Sequence, residues 1–112
     1  MSDEVKGKTT IAPEVLSTIA RLTTLNVKGV SRMASLLNPY DRALTQKLGE
    51  GVKIAIKEDI LTIDLFVVMT SEENVRVVSQ NIQKDVTRAI IEMVGMEVAS
   101  VNVHIVDFDF DL

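Results

Sequence analysis

The middle of the chain alternates apolar and polar side chains, a pattern typical of strands that bury one face. Residues 52–57 and 61–69 both alternate in this way, and Glu58 and Asp59 separate them. A hairpin that turns at these two acids keeps the apolar side chains on one face of the sheet. The predicted cross-strand pairs are Val52 with Leu65, Lys53 with Asp64, Ile54 with Ile63 and Ile56 with Leu61.

Two other stretches repeat their apolar side chains every three or four residues, which predicts amphipathic helices. The first begins at Pro13, because a helix tolerates the missing N–H of proline in its first turn, and it ends near Asn26. The second follows the capping sequence at residues 71–74 and ends at Gly95. The apolar stripes are Val15, Leu16, Ile19, Leu22 and Leu25 in the first, and Val75, Val78, Ile82, Val86, Ala89, Ile90 and Met93 in the second.

Shorter apolar stretches predict the remaining strands. Residues 9–12 and 30–34 each have the length of a short strand. Residues 98–108 alternate again, with Ala99, Val101, Val103 and Ile105 on one side. The turn sequence at residues 38–41 predicts a long loop from Leu36 to Glu50.

The order of these elements is strand, helix, strand, strand, helix, strand. It predicts an α+β fold in which two helices pack on one face of a mainly antiparallel sheet, with a ferredoxin-like or KH-like outline. The Gly-x-x-Gly loop by which KH domains clamp nucleic acid is absent from the sequence. We expect a flexible polar lead at residues 1–8, one domain at residues 9–108 and an acidic tail at residues 109–112.

Composition and charge narrow the possible functions. The 112 residues carry a formal net charge of −4 with scattered basic side chains, so we expect no nucleic-acid partner. The absence of cysteine excludes disulfides and thiol chemistry. The longest apolar run, Leu65 to Met69, is far shorter than the roughly 20 residues of a spanning helix, and no export signal is visible. We therefore expect a cytoplasmic protein without direct membrane insertion.

The candidate chemical groups do not converge in the sequence. His104 is the only histidine, and it falls on the polar side of the last strand. Asp107, Asp109 and Asp111 lie at alternate positions, which predicts a solvated acidic tail rather than a cage of metal ligands. The glycines and serines form no phosphate-binding loop or nucleophile motif. We expect no catalysis, no cofactor and no metal.

Apolar side chains on the outer face of the predicted sheet are the most informative feature. We expect a protein-binding surface there, because a monomer rarely leaves such a patch in water. Its predicted members are Phe66, Val68, His104, Val106, Phe108 and Phe110. The alternative is that the loop from Leu36 to Glu50 folds back and covers this face.

Several stretches of the sequence resemble the alkaline-shock-protein family of envelope stress response proteins from Gram-positive and related bacteria. The resemblance covers residues 7–107, nearly the whole chain. The stretches that carry it are Ile11-Ala12-Pro13-Glu14-Val15, Val27-Lys28-Gly29-Val30, Gly51-Val52-Lys53-Ile54, Ile63-Asp64-Leu65-Phe66-Val67-Val68, Glu92-Met93-Val94-Gly95-Met96-Glu97-Val98 and Val101-Asn102-Val103-His104-Ile105-Val106-Asp107. The chain departs from the family pattern in the loop from Leu36 to Glu50 and in its phenylalanine-bearing tail.

The resemblance implies a non-enzymatic binding or scaffolding module of the envelope stress response. Some members of that family lie beneath the membrane through a separate anchor protein. We therefore expect homo-oligomers and a membrane-anchored partner at the inner face of the membrane. Two alternatives stay open: an accessory regulatory subunit bound to a metabolic enzyme, and a nucleic-acid-binding domain.

Overall fold

The computed structural model describes residues 5–35, 51–70 and 73–110. Its elements in chain order are helix α1 (Pro13–Leu25), strands β1 (Val30–Met33), β2 (Val52–Lys57) and β3 (Ile60–Thr70), helix α2 (Val75–Val94) and strand β4 (Glu97–Asp109). This is the α+β class that the sequence predicts. The predicted loop from Leu36 to Glu50 lies outside the described residues, and so does Asp111 of the predicted tail.

Strand β3 is the centre of the sheet. One of its edges pairs with β4 in parallel along the whole strand. The other edge pairs antiparallel with β2 over Ile60–Leu65 and with β1 over Val67–Met69, so β1 and β2 follow one another along the same edge. Two of the three pairings are therefore antiparallel, and the longest one is parallel.

The hairpin of β2 and β3 has the predicted register. All four predicted pairs are present, from Val52 with Leu65 to Ile56 with Leu61. Glu58 and Asp59 form the turn with positive φ angles of 53° and 63°. Positive φ at both central residues is the geometry that matches the twist of a two-residue hairpin, although glycine and asparagine adopt it more readily.

Both helices cover the inner face of the sheet. Every second residue of β3 is buried beneath them, and the four buried residues of α2 follow the predicted stripe. Asn74 caps α2 by accepting a hydrogen bond from the Val77 N–H, and Gly95 ends it with a φ of 76°. The fully buried side chains of this aliphatic core include Leu16, Ala20, Leu61, Ile63, Leu65, Val67, Met69, Ile82, Val86 and Ile90.

The predicted strand at residues 9–12 is wrong. These residues have no strand structure, although Ile11 packs against the core. The edges of β3 are already filled by β1, β2 and β4, which leaves this segment no position beside β3 in the sheet. Ala12 instead serves as the extended N-cap of α1, and Pro13 occupies the first turn as predicted.

Two β-bulges interrupt β4. The pairing with β3 shifts between Leu61 and Thr62 and again between Val67 and Val68. Ala99 and Val106 are the extra residues, since neither has a partner in β3. Ala99 is therefore exposed rather than part of the apolar side, and Val98 packs against the core together with Val103 and Ile105.

Gly51 directly precedes β2 in the chain and lies next to the end of β1 in the sheet, where both border Phe66. Its carbonyl accepts a hydrogen bond from the Phe66 N–H, and the Ala34 N–H donates to the Phe66 carbonyl. A Cβ at position 51 would lie 2.6 Å from the Phe66 oxygen and 2.9 Å from the Ala34 oxygen. The junction therefore excludes any side chain at this position.

We predict that Gly51→Ala lowers the free energy of unfolding by about 2–4 kcal/mol, because the left-handed φ and the overlap with backbone oxygens both disfavour alanine. Gly95→Ala is the matched control, since Gly95 has a φ of 76° against 71° at Gly51 but no atom within 4 Å of its added Cβ. It should cost only about 1 kcal/mol. Urea unfolding of both variants measures the difference, and equal losses would contradict the packing argument.

Candidate functional site

The outer face of the sheet, opposite the helices, carries one row of polar side chains across three strands. Register places Lys53 of β2 and Asn102 of β4 on either side of Asp64 of β3. The cross-strand pair of Lys53 and Asp64 was predicted from the sequence. Asn102 was not singled out, because its position beside Asp64 follows from the parallel pairing of β3 and β4.

Asp64 is the acceptor at the centre of this row. Its Oδ1 accepts hydrogen bonds from the Asn102 Nδ2 at 3.2 Å and from the His104 Nε2 at 3.1 Å. The side chain of Asp64 is 33% exposed and that of His104 is 46% exposed. Both groups therefore remain in contact with water while they hold each other in place.

Phe66 stacks on His104 in the next row. Their ring centroids are 4.6 Å apart and their planes are inclined by only 15°. The Lys53 Nζ lies 5.4 Å from the Phe66 centroid, and it approaches from the opposite neighbouring strand. We call Lys53, Asp64, Phe66, Asn102 and His104 the outer-face cluster.

The six residues of the predicted binding surface do not share one face. Phe66, Val68 and His104 lie on the outer face, although Val68 is only 2% exposed. Val106 is the unpaired residue of the second bulge and is 50% exposed.

The predicted placement of Phe108 on the outer face is wrong, and Phe110 lies beyond the end of β4. The extra residue at Val106 reverses the alternation of β4, so Phe108 pairs with the buried Met69 and packs against the core. The rings of Phe108 and Phe110 contact each other with centroids 6.1 Å apart. The aromatic side chains therefore divide between the two faces of the sheet.

The same reversal brings Asp109 to the outer face. It accepts a hydrogen bond from the Ser31 hydroxyl and lies 3.6 Å from the Arg32 Nε. Both partners belong to β1, on the far side of β3. Asp109 thus ties the end of β4 to β1, and sequence reasoning missed this because it assigned the residue to a solvated tail.

The polar groups of the outer-face cluster contact one another on the surface of the sheet. No group of three or more His, Asp or Glu side chains within the described residues is placed to hold a metal ion. Two depressions among the described residues, of about 660 and 300 Å³, lie beside the helices, and α2 supplies most of their lining residues. The side chains of the cluster instead hold one another through the hydrogen bonds of Asp64 and the stack of Phe66 on His104.

The comparisons with known proteins place the chain among bacterial relatives. A model of the alkaline shock protein family, described as having a cell envelope-related function, matches residues 1–110. The uncharacterized protein YqhY of Bacillus subtilis is 31% identical over 107 residues, which cover 94% of this chain and 79% of that protein. The uncharacterized protein Spy1535 of Streptococcus pyogenes is 32% identical over 108 residues, covering 94% and 81%.

Solved structures share the fold. Two variants of the MamM CTD match with a TM-score of 0.53 and 12% sequence identity. One match covers 86% of this chain and 95% of that structure, and the other covers 91% and 100%. At this identity the likeness concerns the fold alone. Neither α1 nor α2, the helices of the described residues, combines the length and the hydrophobicity of a transmembrane span.

We predict that the Phe66 and His104 rings stabilise each other by about 0.5–1 kcal/mol, the range expected of a stacked aromatic pair. A double-mutant cycle with Phe66→Leu and His104→Ala, followed by urea unfolding, measures this coupling. The control cycle combines His104→Ala with Lys57→Ala at the far end of the hairpin. A coupling no larger than that of the control would contradict the stacking.

Proposed function

Because the chain belongs to the alkaline shock protein family, whose described function is cell envelope-related, we propose that it is a non-enzymatic protein-binding module of the bacterial cell envelope. Its membership confirms the resemblance predicted from the sequence. The proposed binding surface is the outer-face cluster together with the exposed Val106. The proposed partner is a membrane-anchored protein that holds the chain at the inner face of the membrane.

The observation that carries the proposal is the ordered stack of Phe66 and His104 on the face that the helices leave uncovered. Aromatic side chains are enriched at the centres of protein interfaces. Here the ring of Phe66 contacts both His104 and Lys53 before any partner binds. A side chain that is already ordered loses less conformational entropy on association, which favours binding at this surface.

The solvent exposure and mutual pairing of Asp64 and His104 support a role without catalysis. A general acid or base acts best in a site that excludes water, where its proton transfer is not shared with solvent. Asp64 and His104 are paired with each other on an open face. Their geometry therefore favours a rim of specific polar contacts around Phe66.

The same geometry disfavours a nucleic-acid partner. Sheet-based RNA-binding domains stack bases on exposed aromatic faces. His104 already stacks on the Phe66 ring, and the Lys53 Nζ lies over that ring at 5.4 Å from its centroid. The formal net charge of −4 adds a general repulsion of phosphate backbones.

Photocrosslinking in native cells tests the proposed surface. A photoreactive amino acid replaces Ala55, which is exposed on the outer face of β2, and a control chain carries it at the exposed Gln80 of α2. We predict that the Ala55 probe captures a protein of the membrane fraction and that the Gln80 probe does not. Adding Phe66→Ala should reduce the Ala55 product several-fold, whereas Lys57→Ala should leave it unchanged.

Three results would count against this account. Capture of one soluble metabolic enzyme at Ala55 would favour the accessory-subunit alternative. Equal amounts of crosslinked partner from the Ala55 and Gln80 probes would contradict the assignment of the binding surface to the outer face. A product that survives Phe66→Ala, in a variant whose thermal unfolding shows it folded, would exclude the aromatic stack as the contact.

A further inference from the structure

Strand β4 has a second edge on which no strand lies within the described residues. Exposed edges expose unpaired N–H and C=O groups, and natural proteins usually cover or blunt them. The first edge of β4 pairs with β3 along the whole strand. Among the described residues, the backbone groups that point away from β3 thus form an edge of this 13-residue strand that no other strand pairs.

The hydrogen bonds of Phe66 determine which residues of β4 point outward. Its N–H and C=O both face the β1 and β2 edge, where they bond to Gly51 and Ala34. Alternation then directs the groups of Ile63, Leu65 and Val67 toward β4. In a parallel pair, the backbone groups of a residue bond to the two residues that flank its partner in the other strand. The partner of Leu65 is Val103, so Asn102 and His104 direct their backbone groups toward β3.

Val101, Val103 and Ile105 consequently direct their N–H and C=O groups outward. The structure contains one direct sign of this, because the Gln83 Nε2 donates to the Val101 carbonyl at 3.2 Å from outside the sheet. Within the described part of the chain, the other five outward groups of these three residues have no hydrogen-bond partner. The segment ends at a bulge on either side, at Ala99 and at Val106.

We propose that this edge pairs with the same edge of a second copy of the chain, antiparallel and with Val103 opposite Val103 of the partner. In that register Val101 lies opposite Ile105 of the other copy. All six outward backbone groups then exchange hydrogen bonds, since the odd-numbered residues form the hydrogen-bonded pairs of the new ladder. The Gln83 side chain leaves the Val101 carbonyl when the second copy binds.

The side chains and charges of the segment agree with this register. Val103 meets its own counterpart and Val101 meets Ile105, so the inner side of the contact is entirely aliphatic. On the outer side Asn102 lies opposite His104 of the other copy. The acids of β4, which are Glu97, Asp107 and Asp109, all lie outside residues 101–105, so no like charges oppose each other within the paired segment.

A register shifted by one residue is less favourable. With Asn102 opposite itself, Val101 pairs with Val103 and Ile105 falls opposite the bulged Ala99, which leaves its backbone groups without regular partners. Only the register centred on Val103 uses all six groups between the two bulges.

This inference does not rest on the proposed function, because β4-edge pairing extends the sheet sideways and leaves its outer face open. It is tested on the purified chain, where no envelope partner is present. Absence of the dimer would leave the crosslinking result at Ala55 unchanged. Absence of a crosslink at Ala55 would leave the dimer unchanged.

Cysteine pairing tests the register directly, since the chain has no cysteine of its own. In a non-hydrogen-bonded antiparallel pair the Cα atoms lie about 4.5 Å apart, within reach of a disulfide. The predicted register therefore joins Asn102→Cys of one copy to His104→Cys of another. Mixing the two single-cysteine chains under mild oxidation should give the mixed disulfide several-fold above its random share.

In the control mixtures, a chain that carries Ala55→Cys, on the outer face of β2, takes the place of one of the two single-cysteine chains. These mixtures should give the mixed disulfide only at its random share. Equilibrium sedimentation of the unmodified chain should show a dimer that dissociates on dilution. Val103→Pro should weaken this dimer about tenfold or more, since it removes the two central N–H donors while leaving the bonds to β3 in place.

A monomer at every concentration, or mixed disulfides at no more than their random share, would overturn the proposal. An undiminished dimer in a folded Val103→Pro chain would do so as well. If that variant fails to fold, the disulfide ratio decides the question alone.

Discussion

The pairing of β3 on both of its edges is the interaction on which the rest of the structure depends. Its inner side chains are fully buried under the two helices, and its backbone is bonded to β1 and β2 on one side and to β4 on the other. A slip of one residue would turn the aliphatic set toward water, so the hydrophobic core and the hydrogen-bond ladders select one register together. That register also decides which polar side chains meet on the outer face and which backbone groups of β4 remain free.

The outer-face cluster and the free edge of β4 are two consequences of this central strand. Asp64 and Phe66 alternate with buried residues of β3, and their partners Asn102 and His104 are the residues of β4 that hydrogen-bond inward. The intervening Val101, Val103 and Ile105 turn their side chains to the core and their backbone groups to the free edge. The outer face around Phe66 and the unpaired edge of β4 are thus two separate surfaces.

The parts of the fold that repeat with a regular period could be predicted from the sequence. The hairpin register, both helices and the outward position of His104 follow from alternation or helical spacing. The two bulges could not be predicted, because a single extra residue at Ala99 or Val106 leaves no periodic signal and yet reverses every later side chain. The wrong face for Phe108 follows from that one residue. The hydrogen bond of Asn102 to Asp64 was missed because it needs the parallel pairing of β3 with β4, which no short-range pattern specifies.

Residue-resolved hydrogen exchange of the backbone amides of β4, in a dilute solution of the purified chain, tests this account of β3 most directly. We expect slow exchange at Asn102 and His104, whose N–H groups bond to β3, and fast exchange at Val103 and Ile105, whose N–H groups face the free edge. Uniform protection along β4, or protection of the odd-numbered amides instead, would contradict the register from which both surfaces are derived.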